Sequence, residues 1–213
     1  MKNRTDTLPA PLAHAIRTAA ASWSSVPAPW LVGGSCGLAL HDVPLGATPR
    51  DVDIYIDAEG AAAFHDALRD YASDEQHYSE TERYRSTLSH YDIGGVTVEL
   101  VAGFEVRAAG ADYRIAIAGA MERHALRAEV GGEPVGVMPL AHELAFNLLR
   151  GREDRYEAIA AAMRADPAAH LPALRDIVAD NRFDAAWRGR LTELLGLTED
   201  AFAPGEGAPR CRE

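Results

Sequence analysis

The sequence predicts an α+β molecule: a mixed sheet with flanking helices, followed by a helical C-terminal domain. Three observations predict it. Short runs with strand-type alternation, punctuated by glycine pairs, fill the chain up to Pro139. Helical stretches are interspersed among those runs. Beyond Pro139 the apolar period becomes that of a helix and stays so. Strands with interspersed helices, then a run of helices, is the pattern of an α+β head with a helical appendage. The expected divisions are residues 1–138, residues 139–200 and a Pro/Gly-rich disordered tail at 201–213.

Each predicted element has a local reason. Pro11 to Trp23 reads as a helix because Leu12, Ile16, Ala19, Ala20 and Trp23 recur at helical spacing. A strand from Trp30 to Val32 ends at Gly33-Gly34, where a helix opens at Ser35 and runs to about Asp42. A turn-rich loop, Pro44 to Pro49, leads into a second strand, Asp51 to Asp57. Ala58 to Tyr71 reads as a helix, Ala-rich with Phe64 and Leu68 four apart. Arg83 to Asp92 and Val96 to Val101 read as an antiparallel pair around Gly94-Gly95. Short strands are expected at Tyr113 to Ile117 and Ala125 to Val130, with a turn at Gly131 to Pro134. Four helices complete the chain: Leu140 to Arg150, Asp154 to Ala165, Leu171 to Asp180 and Ala185 to Leu195.

The chemistry gathers at the first glycine turn and two strands. Along the aspartate strand Asp51, Asp53, Tyr55 and Asp57 take one face, and Val52, Ile54 and Ile56 the other. Asp51 and Asp53 therefore project together. In Val96 to Val101, Thr97 and Glu99 share a face opposite Val96, Val98 and Leu100. A carboxylate in an otherwise apolar strand is costly to bury unless a cation compensates it. Gly33-Gly34-Ser35 places unpaired N–H groups at a helix start, a setting suited to phosphate. Arg50 reads either as a phosphate contact or as the partner of Asp42 or Asp57, and Asp57 as the cap of the next helix.

This arrangement resembles the nucleotidyltransferase superfamily typified by DNA polymerase β: a Gly-Gly/Ser helix start, an Asp-x-Asp strand and a third carboxylate on a later strand. The long spacing from Ser35 to Asp51 brings it nearer to the lincosamide and aminoglycoside nucleotidyltransferases and the AbiEii-like toxins. Val135 to Ile159 supports the match, with a strand leading through Pro139 into a helix and then a charged turn. The resemblance covers about residues 29–160 and implies a nucleotidyltransferase-fold sheet. It implies transfer of a nucleoside monophosphate from an NTP, ATP among them, to an acceptor hydroxyl, with release of pyrophosphate. Gly33, Gly34, Ser35 and Arg50 would bind the nucleotide. Asp51, Asp53 and Glu99 would be catalytic and hold two Mg²⁺ ions, with Mn²⁺ as a substitute, and Glu99 would take the acceptor's proton. The acceptor is left open among a small molecule, tRNA and a protein. Two positions depart from the pattern: Glu99 stands where Asp is usual, and Asn147 where relatives often carry Lys. A non-catalytic nucleotide- or partner-binding member of the fold is the alternative.

Bulk properties narrow the partners. The chain has 213 residues, 47% of them hydrophobic, which is ample for a core. No apolar run reaches membrane-span length and the N-terminus lacks a signal-peptide core, so a cytoplasmic location is expected. The wealth of Ala, Arg, Gly and Asp points to a GC-rich bacterial source. A net charge of −11 argues against long duplex nucleic acid and tilts toward a small or cationic acceptor. Arginines still gather at Arg83 and Arg85 and at Arg150, Arg152 and Arg155, suited to a triphosphate or a small RNA surface. The histidines show no metal spacing, His142-Glu143 reads as a helix N-terminal pair, and Trp187 as packing. Gly33-Gly34-Ser35-Cys36-Gly37 also matches the G-x-S-x-G elbow of serine hydrolases, but no earlier strand is available to supply an oxyanion loop.

Overall fold

The computed structural model describes residues 2–3 and 7–202; the expected tail lies, from residue 203 onward, outside the described residues. In chain order the strands are β1 (Lys2–Asn3), β2 (Leu31–Gly33), β3 (Val52–Ile56), β4 (His77–Glu80), β5 (Tyr84–Ile93), β6 (Val96–Ala108), β7 (Ala111–Arg114), β8 (Leu126–Val130), β9 (Glu133–Val137) and β10 (Arg182–Phe183). The helices are α1 (Ala10–Ser22), α2 (Gly34–Leu40), α3 (Ala61–Ala67), α4 (Leu140–Leu149), α5 (Glu153–Ala165), α6 (Pro167–Asp180) and α7 (Ala185–Leu195). The strands form one mixed sheet in the order β1-β8-β9-β2-β3-β6-β5-β4, with β7 beside β6 and β10 beside β7. The pairs β3–β6 and β2–β9 are parallel, and β2–β3 and β5–β6 antiparallel.

Both faces of the sheet are covered, as the alternation in β3 requires. Val52, Ile54 and Ile56 join Ile16, Trp23, Phe64 and Leu68 in one apolar cluster under α1 and α3. The Trp23 indole N–H donates to the Phe64 carbonyl at 2.9 Å, which satisfies the one polar atom of a fully buried ring. On the other face, Leu31, Tyr55, Val101 and Phe104 pack with Leu144, Phe146, Ile159, Leu174 and Leu191. Helices α4 to α7 thus share a single hydrophobic cluster with the sheet, and β10 adds a strand from the helical region to β7. Residues on both sides of 138/139 contribute to that cluster.

Several elements differ from expectation for local reasons. The stretch 58–71 is a 3₁₀ turn at Ala58–Gly60, then α3, then a second 3₁₀ turn at Arg69–Tyr71; Gly60 weakens the intended helix near its start. Strand β6 runs on to Ala108, through Gly103 in left-handed backbone (φ +60°). A Cβ at Gly103 would sit 2.8 Å from that of Ala58, so this glycine permits close approach and does not end the strand. Helix α6 begins at Pro167, four residues early, because the Asp166 carboxylate accepts from the Ala169 N–H (3.3 Å) and Pro167 suits a first helical turn. Asp57 does not cap its own following turn. Its carboxylate accepts from the N–H groups of Ile117 (2.7 Å) and Ala118 (2.8 Å), fastening that distant segment to the end of β3. Among the described residues no helix is long and apolar enough to cross a membrane.

Candidate active site

Sheet register assembles the site. Gly33 is paired with Asp53, Asp53 with Glu99, and Glu99 with His90, so four residues of β2, β3, β6 and β5 form one row across the sheet. Directly opposed side chains on adjacent strands are near neighbours, which brings Asp53 and Glu99 together. Asp51 lies exposed just before β3, two residues from Asp53 and so on the same side. The Cys36 thiol donates to the Asp51 carbonyl at 3.2 Å and ties that backbone to α2. Burial, then the charges of Asp53 and Asp51, push the Cys36 thiol up to about 12, so it stays a protonated donor.

The glycine turn lies against this row. Gly34 has φ +56°, and a Cβ there would stand 1.8 Å from Asp53 Oδ2. Only glycine lets the backbone run across that carboxylate in this conformation. At Gly33 a Cβ would come within 2.6 Å of the Tyr55 ring. Ser35 Oγ accepts a hydrogen bond from Arg155 Nη2 at 3.0 Å, linking α2 to α5. The hydroxyl therefore faces a guanidinium, and among the described residues no histidine is hydrogen-bonded to it. The hydrolase arrangement is not assembled.

Beneath the turn stands a group that the sequence reading took for half of a helix N-terminal pair. Glu143, 1% exposed, accepts from the Gly34 N–H through Oε1 at 2.8 Å. One amide expected to serve phosphate is thus already bonded to a side chain. Asn147 Nδ2 donates to the Glu143 carbonyl (2.8 Å) and to its Oε2 (3.3 Å). Arg150 donates to Asn147 Oδ1 at 2.9 and 3.2 Å, with its guanidinium 4.3 Å above the Phe146 ring. His142-Glu143 is consequently more than a helix-start pair. His142 is buried neutral, pushed down to about 3 by desolvation, and its Nδ1 bonds the Tyr113 hydroxyl at 2.7 Å.

Charge is concentrated and only partly compensated. Burial, then repulsion from Glu99 and Asp51, raises Asp53 to about 6, while Arg150 and Arg155 oppose the rise. Glu99 is also raised, chiefly by burial; His90 pulls it back and Asp51 adds to it. Burial raises Glu143 to about 7, against the pull of the Gly34 hydrogen bond. His90 Nε2 lies 3.7 Å from Glu99 Oε2, and its Nδ1 meets Asp74 Oδ2 at 2.6 Å. Asp74 Oδ1 also accepts from the His90 main-chain N–H at 2.7 Å, which orients the ring. Burial alone would raise Asp74, but the two His90 hydrogen bonds outweigh it and hold its carboxyl low. Three mutually repelling carboxylates are hard oxygen donors and suit Mg²⁺ or Mn²⁺ by chemistry. Among the described residues no three such side chains already stand as a gathered ligand set.

The structure therefore brings Gly33, Gly34, Ser35, Asp53 and Glu99 together, with Asp51 at the margin. Arg50 is exposed and makes no hydrogen bond or ion pair with them among the described residues. Sequence reasoning missed His90 and Asp74, named Arg155 only within an arginine group suited to a triphosphate, and read Glu143 as half of a helix N-terminal pair. The arginine cluster near residue 150 and the polar alternation of β5 were the only local signals for them.

The model of the aminoglycoside-2''-adenylyltransferase family matches residues 15–160. A search among curated proteins finds no match. Among solved structures, a candidate nucleotidyltransferase from Thermotoga maritima is similar at 23% identity and a TM-score of 0.60, over 74% of this chain and 96% of that one. That likeness concerns the fold. The complex of ANT(2")-Ia with adenylyl-2"-tobramycin aligns at 16% identity and a TM-score of 0.48, over 84% of this chain and 98% of that one. The lincomycin-bound lincosamide antibiotic adenylyltransferase LnuA aligns at 10% and 0.44, over 69% and 95% respectively.

Proposed function

We propose, from the fact that this chain belongs to the aminoglycoside-2''-adenylyltransferase family, that it transfers the adenylyl group of ATP to a hydroxyl of an aminoglycoside and releases pyrophosphate. The protein is a nucleotidyltransferase; the donor, the acceptor and the metal are the proposed part. The observation that carries the reading is the row Gly33–Asp53–Glu99, with the Gly34 backbone lying on the Asp53 carboxylate.

In this reading Ser35 and Arg155 hold the triphosphate, a hydroxyl donor and a guanidinium suited to its oxyanions. Arg150, half-buried beside Asn147, adds positive charge where relatives often place a Lys. Asp51, Asp53 and Glu99 would hold Mg²⁺, or Mn²⁺ in its place, as two ions by resemblance. Bound there, a cation would supply positive charge to offset that of the phosphates. Glu99 takes the proton of the acceptor hydroxyl, whose oxygen forms a bond to the α-phosphorus. The bond from that phosphorus to the bridging oxygen breaks, and pyrophosphate leaves with the electron pair. Asp74 orients His90, and His90 faces the Glu99 carboxylate from the strand beyond.

The test is acceptor-dependent pyrophosphate release from ATP with tobramycin and Mg²⁺, on wild type and Asp53→Asn. Release in wild type, absent from the variant, is expected. ATP binding without release for any 2''-hydroxyl aminoglycoside would defeat the acceptor assignment. Absence of ATP binding altogether would defeat the donor assignment too.

A further inference from the structure

Away from the catalytic row, the C-terminal end of β6, the end of α4 and helix α7 line an open surface cavity of about 580 Å³. Its lining includes Arg83, Arg107, Arg150 and Arg190, against a single carboxylate, Glu82. This is unexpected in a chain of net charge −11. Elsewhere on the described surface, Arg69, Arg85, Arg114, Arg123, Arg152 and Arg182 each meet a carboxylate, while Arg17, Arg50, Arg164, Arg175 and Arg188 are scattered singly without one among the described residues. In the cavity, Arg83 and Arg190 have no carboxylate partner among the described residues. Arg107 has only Glu105, at 4.0 Å, and Arg150 is bonded to the neutral Asn147 amide. Four guanidinium groups lining one cleft against a single carboxylate form an arrangement suited to an external anion. The wall is also ordered: the Trp187 indole N–H donates to the Ala109 carbonyl at 2.7 Å, and Arg190 lies 5.3 Å over its ring.

We propose that this cavity is a second anion site, taking a phosphate-bearing ligand and joined to the active site through Arg150. Arg150 lines the cavity and donates to Asn147, whose amide donates to Glu143, which in turn accepts from the Gly34 N–H, so one chain of hydrogen bonds joins the two places. Phosphate oxygens match the guanidinium forks, and the indole offers a flat apolar surface beside them. A polycationic aminoglycoside is repelled from this cavity and reaches Glu99 from elsewhere. The phosphate belongs either to a small free compound or to the end of a nucleic-acid strand.

The experiment is a fluorescence titration of the full chain with inorganic tripolyphosphate and, separately, with a 5′-phosphorylated trinucleotide. Wild type, Trp187→Phe and the double variant Arg83→Glu/Arg190→Glu are compared. The expected result is a saturable signal that needs Trp187, weakens with added salt and loses at least ~10-fold in affinity in the charge-reversed protein. Both substituted arginines are exposed, so the variant is expected to unfold at the wild-type temperature and to keep its thermal shift with Mg²⁺-ATP. Tighter binding of the trinucleotide assigns the phosphate to a strand end, and equal or weaker binding to a small compound. Equal affinity in the charge-reversed protein, or no Trp187-dependent signal in wild type, overturns the proposal. Tripolyphosphate binding in a protein that ignores ATP would uphold this site while defeating the proposed donor.

Discussion

At the scale of single residues, Asp53 trades stability for charge. Its folded pKa of about 6 lies above the ordinary 3.8, so the folded state takes up the proton first on acidification. Ionisation therefore costs stability above pH 6, and the cost is gone once both states are protonated, below about pH 4. Asp53→Asn is expected to be more stable than wild type at pH 8 by up to about 3 kcal/mol, or roughly 6–12 °C in Tm. The gain should vanish at pH 4, while activity is lost at both. Thermal unfolding at the two pH values checks this, and a gain independent of pH would refute it. Glu143 offers a second check. Glu143→Gln keeps an oxygen for the Gly34 N–H, whereas Glu143→Ala leaves that amide unpaired at a cost of about 1–3 kcal/mol. ATP affinity should follow the same order, Gln near wild type and Ala weaker. Tighter ATP binding by the Ala variant would mean that Glu143 blocks the turn rather than shaping it. Asp51, Asp53 and Glu99 could be read from strand alternation, because a period of two is a local property. Glu143 could not: the amide it serves is 109 residues away in the chain.

At the scale of elements, the link between α2 and α5 and the turn ahead of α2 matter most. Arg155→Ala removes the bond to Ser35 and a cation next to Asp53. ATP affinity should fall ~10-fold or more with little change in Tm, since Arg155 is only half-buried. An unchanged Kd would remove Arg155 from the triphosphate site. Gly34→Ala combines positive φ with overlap onto Asp53, so a loss of about 1–3 kcal/mol and of activity is expected. Wild-type stability in Gly34→Ala would contradict the turn geometry. Most helices and the long strands were legible, because apolar period and glycine pairs are strong signals over ten residues. The strands β4 and β10 were not. β4 is exposed apart from Ser79, and β10 is two residues long, so each owes its existence to the strand it pairs with.

For the whole molecule, the shared core bears on how the chain divides. Leu144, Phe146, Ile159 and Leu174 pack on Tyr55 and Phe104 of the sheet. A fragment of residues 1–138 would expose that face and is expected to lack a cooperative thermal transition. A sharp transition in the fragment would make the two parts separable domains. Taken alone, the sequence determined the α+β class, the glycine turn and the acid-bearing faces of β3 and β6, since these depend on periodicity and backbone freedom over a few residues. Tertiary structure alone decided the row from Gly33 to His90, the seat of Glu143 under Gly34, the pairing of Arg155 with Ser35 and the arginine cavity. Those depend on strand order and register and on where α4, α5 and α7 settle. Such arrangements are set by which apolar surfaces must be covered together, and no local pattern encodes them.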